Sequence, residues 1–294
     1  MKKQLIIFLK TLAKINIIPF DLKLKIAAID RRLINIIPLN KNLIFDKYIG
    51  DVKVNVNTNY PIEKEMLSGS YDPETSFFLR KFLNSNCIAI DVGANVGALT
   101  LLMAKQCDKG RIIAIEPGPQ SYLRLMDNLT LNPKLLELVT ICKVGVSDKK
   151  GELFWGEDPE NLGNASLLEN TGTLVEVQTL DNIIEENNLK RLDFIKIDVE
   201  GMEYEVIKGG INSIRKYHPT IYYETLEPFR YFRGFDLYKK IFDELSFEGY
   251  MHFYVNKRGV FIEQKEMTKL YADNLLAIHI SNQQYSILNQ VKVV

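Results

Sequence analysis

Cys87-Ile88-Ala89-Ile90-Asp91-Val92-Gly93-Ala94-Asn95-Val96-Gly97 decides the fold. A short β-branched run ends in an acid and two glycines, after which Leu99 to Lys105 reads as an amphipathic helix. Gly93 and Gly97 permit a tight turn and close backbone approach where a strand passes into a helix. Outward from this unit, strand-like runs lie at Arg111 to Ile115, Val139 to Val144, Leu192 to Ile197 and Thr220 to Tyr223. A helical pattern, Ser121 to Leu131, separates the first two of these. A helix-like stretch, Leu237 to Leu245, and two further strand candidates, Tyr250 to Val255 and Leu275 to Ile280, complete the series. Strands separated by helix-length connections imply βαβ units, and hence an α/β, doubly wound, mostly parallel sheet.

In open sheets of this kind ligands sit beyond the carboxyl ends of the strands. Here those ends carry the Asp91 to Gly97 turn, Glu116-Pro117, Ser147-Asp148, Asp198-Val199-Glu200-Gly201 and Glu224. Glu116 lies 23 residues after Gly93, near the roughly 20-residue offset at which an acid meets ribose hydroxyls in dinucleotide folds. Yet the loop is G-x-x-x-G, not G-x-G-x-x-G, and Asp91 stands directly before it. A carboxylate there opposes a pyrophosphate and suits a cationic ligand such as the ammonium of a methionine-like moiety. The arrangement favours S-adenosylmethionine over NAD.

The later strand ends raise the specificity. The chain resembles the FkbM family of S-adenosylmethionine-dependent methyltransferases through Ile90 to Gly97, Glu116-Pro117, Thr179-Leu180-Asp181 and Phe194-Ile195-Lys196-Ile197-Asp198-Val199-Glu200-Gly201-Met202-Glu203. Gly69-Ser70-Tyr71-Asp72-Pro73 and Asn274-Leu275-Leu276-Ala277 extend the match over roughly residues 69 to 280. Asp72 departs from the pattern, since the family often has the longer Glu there. The resemblance implies a class I methyltransferase, Rossmann-like doubly wound sheet of seven strands with the last antiparallel. By position, Asp91, Gly93, Asn95 and Gly97 would hold the methionine end of the cofactor, with Asp198 also near it. Glu116 would take the ribose hydroxyls, and Ser147 with Asp148 would border the adenine.

Methyl transfer is an in-line displacement at a sulfonium methyl, so alignment supplies much of the rate. A hydroxyl acceptor also needs a base, and a carboxylate within hydrogen-bond reach can take its proton. Lys196, Asp198, Glu200 and Glu224 are the catalytic candidates. Lys196 and Asp198 are two apart on a strand and share a side, and burying such groups is costly unless they are paired or used. Glu200 is taken as the base, with Asp198 near the cofactor or nucleophile and Lys196 pairing with a carboxylate. For Glu203 and Asp181 a structural role is preferred: the first near the positive end of the helix after Gly201, the second capping the helix after Thr179. No metal is assigned, although Asp198, Glu200 and Glu224 could alternatively grip Mg²⁺. Asp158 to Gly172 reads as a polar loop that selects substrate through Asn164 and Ser166, with Trp155 available to stack on a sugar face. Of Tyr222 and Tyr223, alternating on one strand, one packs inward.

Composition, 46% hydrophobic and 25% charged, excludes a disordered or low-complexity chain. The zero net charge divides unevenly: residues 1–60 hold eleven Lys/Arg and four Asp, a balance of +7, and the rest carries −7. Cys87, Cys107 and Cys142 lack CxxC spacing and read as free thiols in a reducing compartment. The division is therefore a basic extension, 1–60, before a methyltransferase domain, 61–294. Within the extension, Leu5 to Ile15 and Leu22 to Ile36 form two short amphipathic helices. No apolar run reaches the roughly 20 residues of a spanning helix, so the protein is expected in the cytoplasm, with any peripheral contact at the inner face of the membrane.

The expected activity is O-methylation of a hydroxyl in a glycan or glycolipid. Nucleic-acid or other small-molecule methylation, and a non-enzymatic cofactor-binding scaffold, are the alternatives. Nucleic acid is not the expected partner, because an acidic body repels phosphate. The head either anchors on anionic lipid through residues 1–40 or packs on protein. The second is favoured, since apolar stripes on short helices usually find protein. In co-sedimentation with anionic vesicles, the full chain should therefore pellet no more than a form lacking residues 1–40.

Overall fold

Short strands that are apolar on both faces must be covered on both faces, which is what a doubly wound sheet provides. The computed structural model describes residues 40–69, 71–158, 161–168, 172–225, 235–256, 260–268 and 272–282. The two head helices expected upstream lie outside the described residues. In chain order the elements are β1 (Asn42–Phe45), β2 (Val54–Asn57), α1 (Pro61–Met66), α2 (Pro73–Phe82), β3 (Ile88–Val92), α3 (Ala98–Gln106), β4 (Arg111–Ile115), α4 (Pro119–Thr130), α5 (Pro133–Leu136) and β5 (Val139–Cys142). They continue with β6 (Gly145–Val146), β7 (Gly151–Asp158), β8 (Asn161–Leu168), β9 (Thr173–Gln178), α6 (Leu180–Glu186), β10 (Phe194–Ile197), α7 (Glu203–Gly209), α8 (Ile211–Tyr217) and β11 (Thr220–Glu224). The last are α9 (Phe235–Phe247), β12 (Tyr250–Val255), β13 (Phe261–Gln264) and β14 (Asn274–His279).

The main sheet runs β13-β12-β14-β11-β10-β3-β4-β5. From β5 to β11 every pairing is parallel, while β14 is antiparallel to both its neighbours. This is the class I methyltransferase arrangement, with the expected reversed last strand. It has eight strands where seven were expected. The extra one, β13, is a four-residue edge strand with only two apolar residues, too short to show a period. Strand order reverses direction between β3 and β10, so the crevice that opens at a topological switch point lies between their carboxyl ends.

Two apolar clusters fill the two faces. Residues alternate between them along each strand, so Tyr222 joins one and Tyr223 the other, and both are buried. The expectation that only one packs inward fails because neither face is open. Helix α3 departs from expectation in the same way: Ala98 through Ala104 are all buried. It is enclosed, not amphipathic, because α1, α2 and the β1–β2 hairpin cover its outer side.

That hairpin packs into the core of the body that follows it. Val52, Val54 and Val56 belong to the same cluster as Phe78 and Leu101, and the Tyr48 hydroxyl donates to Ala98 O at 3.1 Å. Asn55 N–H donates to Asn128 Oδ1 (2.7 Å) and Asn128 Nδ2 to Val96 O (2.8 Å), which ties the hairpin through α4 to the β3–α3 turn. Residues 43–60, which the charge count assigns to the basic extension, thus share the core of the body, because apolar side chains pack irrespective of the sign of neighbouring surface charges. The polar stretch after Asp158 is likewise no simple loop. It contains β8, paired antiparallel with β7 in a second sheet of order β6-β9-β7-β8. Deleting residues 1–60 should abolish cooperative folding or lower the melting temperature, and Val54→Ala alone should cost ~2 kcal/mol in urea unfolding. An unchanged melting temperature for a chain starting at Pro61 would show the hairpin to be dispensable.

Candidate active site

The first turn is built by steric exclusion. Gly93 has φ +79°, and a Cβ there would sit 1.8 Å from the carbonyl oxygen of Asp198. The ends of β3 and β10 therefore touch through bare backbone, where any other residue would part them. Gly93 and Ala94 N–H both donate to Ile115 O at 3.0 Å, and Asn95 follows in a left-handed conformation, φ +49°. Its N–H donates to Glu116 Oε2, and that of Gly118 to Glu116 Oε1, each at 2.8 Å. Gly97 plays a different part. A Cβ there would meet Leu125 Cδ1 at 2.6 Å, so this glycine lets α3 start against α4.

Behind the turn lies an ion triad in which Asp91 and Lys196 are buried and Asp198 is half-buried. Asp91 and Lys196 are register partners across β3 and β10, and Lys196 Nζ stands 3.1 Å from Asp91 Oδ1 and 3.3 Å from Asp198 Oδ2. It also donates to Gly93 O at 3.2 Å. Thr100 of α3 donates its hydroxyl to Asp91 Oδ2 at 2.6 Å. Burial works against the ammonium, but the carboxylates of Asp198 and Asp91 outweigh it and hold Lys196 above the ordinary lysine range.

Three carboxylates converge in front of the triad. Asp198, Glu200 and Glu224 each offer an oxygen, and these lie within 4.8 Å of one another. Burial, then Asp198 and Glu203, push the Glu200 pKa up to about 8 against the pull of Lys196. Burial, then Asp198 and Glu200, drive that of Glu224 well above the usual range. The Glu200 backbone is left-handed, φ +57°, a conformation that L-residues occupy at a cost and that concentrates at functional sites.

The turn, Lys196 and the three carboxylates open on one cavity of about 330 Å³. Gly93, Asn95, Glu116, Lys196, Asp198, Glu200 and Glu224 line it. Four candidates fall outside the lining. Asp91 and Gly97 are behind it, in the roles just described. Ser147 and Asp148 stand off to one side, where Ser147 N–H donates to Gln178 O (2.9 Å) and Asp148 pairs with Lys208 (2.8 Å). The lining there comes from Val144, Gly145 and Val146 instead, because β6 follows β5 after two residues and bends the chain into the second sheet. Glu65, Tyr71 and Asp72 close the opposite wall; only the Tyr71-Asp72-Pro73 run signalled this, and nothing marked Glu65. Asp72 caps α2 by accepting the Thr75 N–H at 3.1 Å. Trp155 of β7 also lines the cavity and is almost fully buried.

A model of the methyltransferase FkbM domain matches residues 91–251, more than half of the chain. The chain belongs to the FkbM methyltransferase family. Methyltransferase sdnD of Sordaria araneosa is 30% identical over 179 residues, which cover 50% of this chain and 69% of that protein. The hexuronic acid methyltransferase AglP of Haloferax volcanii is 27% identical, with 42% of this chain and 50% of AglP covered. The 2-O-methyltransferase NoeI of Sinorhizobium fredii is 25% identical, with 44% and 59% covered.

In this FkbM methyltransferase the two acids expected to be structural are so in unexpected ways. Asp181 accepts the Ser213 N–H (2.8 Å) and Asn212 Nδ2 (2.9 Å), so it caps α8, while Thr179 caps α6 by accepting the Asn182 N–H at 3.2 Å. Glu203 is buried, and burial pushes its pKa up to about 7 against the backbone amides of Glu203 itself, Gly201 and Val199, which hold it down. Glu200 and Glu203 thus keep protons in the folded state between about pH 4.5 and 8 that the unfolded chain has lost. Their contribution favours folding most at the acid end and is lost as pH rises through about 8. The urea midpoint should fall from about pH 5 to about pH 8, and Glu200→Gln should make that fall shallower; an unaltered slope would contradict the raised value.

Proposed function

We propose that this FkbM methyltransferase binds S-adenosylmethionine in the cavity and methylates a hydroxyl of a sugar in a glycan or glycolipid. The observation that carries the reading is the carboxylate triangle of Asp198, Glu200 and Glu224, which opens on the same cavity as Glu116 and the Gly93–Asn95 turn. Six carboxylates line the cavity in all, those of Glu65, Asp72, Glu116, Asp198, Glu200 and Glu224. This acidic lining suits a cofactor with a cationic sulfonium and ammonium, whose charge would in turn favour the ionised forms of Glu200 and Glu224. When bound, that cofactor supplies an electrophilic methyl on sulfur. Glu116 can hold ribose hydroxyls, since a carboxylate that already accepts two amides retains lone pairs for more donors. The bare backbone of Gly93 and Asn95 leaves room for the methionine end, and Val144 to Val146 offer an apolar flank to the adenine.

At the acceptor end Glu200 is the base. In its ionised form it would accept the hydroxyl proton as the oxygen takes the methyl and the C–S bond breaks, the electron pair leaving with sulfur as a neutral thioether, and a pKa pushed up to about 8 makes it a stronger base than an ordinary carboxylate. Asp198 is held by Lys196 beside the reacting groups. The relatives named for a hexuronic acid and for a 2-O position support a sugar hydroxyl. The triangle's spacing would also admit a divalent cation; with Glu200 as the base the transfer needs no metal, and full activity is expected in EDTA.

Glu200→Gln should reduce transfer by at least ~10²-fold while calorimetry gives a cofactor Kd within a few-fold of the wild type. The wild-type rate should rise with pH up to about 8, as the base form fills. Near-normal turnover of the variant would defeat the assignment. With labelled S-adenosylmethionine and fractionated extracts, label is expected in polysaccharide or lipid, and label only in RNA or protein would overturn the acceptor class.

A further inference from the structure

Glu203 lies outside the cavity lining, and its side chain reaches back to the turn before its helix. Oε1 accepts the Val199 N–H and the Gly201 N–H, both at 3.1 Å. These amides flank Glu200, where the chain passes through two consecutive residues of positive φ, Glu200 at +57° and Gly201 at +102°. Both N–H groups thus converge on one side-chain oxygen of the same chain. Glu203 is 1% exposed, so its oxygen has no alternative position in solvent. Met202, the residue before α7, makes no side-chain cap, and the Glu203 carboxylate is spent on the turn that precedes the helix.

We propose that Glu203 is the positioning residue for Glu200: by clamping the amides on either side, it fixes the left-handed backbone that turns the Glu200 carboxylate toward Asp198 and Glu224. Without the clamp, Glu200 relaxes to an ordinary conformation and its carboxylate leaves the triangle. The cofactor end, built on Gly93, Asn95 and Glu116, is held by its own hydrogen bonds, to Ile115 O from Gly93 and to Glu116 from Asn95 and Gly118. The proposal rests on the reading of Glu200 as the base.

Three variants of the full chain separate geometry from charge. Glu203→Gln keeps a carbonyl oxygen at the same reach and should retain kcat within about threefold. Glu203→Ala should lower kcat tenfold or more with the S-adenosylmethionine Kd within twofold. Glu203→Asp, which keeps the charge but withdraws the oxygen by one methylene, should resemble Ala and serves if the Ala variant does not fold. Hydrogen exchange reads the clamp without any acceptor: the Val199 and Gly201 amides should lose protection at least tenfold in the Ala or Asp variant, while those of β10 do not. Wild-type kcat in the Ala or Asp variant, an equal loss in Gln, or unchanged exchange would each overturn the proposal. If the wild type methylated no hydroxyl, the acceptor reading would fall, while the exchange result would still decide whether Glu203 sets the turn.

Discussion

A single ammonium holds the active end of this sheet together. Lys196 is buried, and its Nζ joins the carboxylates of Asp91 and Asp198 and the carbonyl of Gly93. It thereby ties the two strands that flank the switch point, at the place where their backbones already touch. Removing one partner of such a buried group typically costs about 3–5 kcal/mol, because a charge remains without compensation. The pairing is what permits acids at the floor of the cavity. Without it, Asp91 would be an isolated charge under an apolar helix, and Asp198 would stand beside Glu200 and Glu224 with no opposing cation at hand.

The site is divided by what each acid meets. Asp91 and Glu116 have their oxygens engaged by Thr100, Lys196 or backbone amides, and they organise the turn. Glu200 and Glu224 face other carboxylates in a partly dry setting, and their pKa values rise. Glu203 stands between these cases, solvated by two amides and shut off from water. The acidity of the body thus has a local meaning: charge is gathered where a cationic cofactor and a base are required, and one lysine offsets the part of it that lies deepest.

Much of this was legible along the chain. The main-sheet strands β3, β4, β5, β10, β11, β12 and β14 read correctly because each is a short apolar run with a polar stop, and Arg111–Ile115 and Tyr250–Val255 have the expected bounds. The acids at their carboxyl ends share the cavity because a parallel sheet puts all such ends on one edge. What could not be read was long-range enclosure. Helix α3 looks amphipathic until the hairpin covers it, and β8 looks like a loop because its polar residues pair within a small second sheet. Ser147 and Asp148 follow a strand like the other site residues, but β6 diverts the chain before they reach the cavity.

The sequence by itself determined the sheet, its polar edge and the residue types available there, since periodicity and turn chemistry are local properties. Only the tertiary structure decided which acid does what. Asp91, Asp181, Glu200 and Glu203 are alike in composition, and each stands near a strand end or a helix start. Their roles separate because burial and partners differ: an ammonium and a hydroxyl for Asp91, the amides of a neighbouring helix for Asp181, the amides of the preceding turn for Glu203, and other carboxylates for Glu200. Electrostatic free energy depends on distance and desolvation, and both are set by elements far apart in the chain.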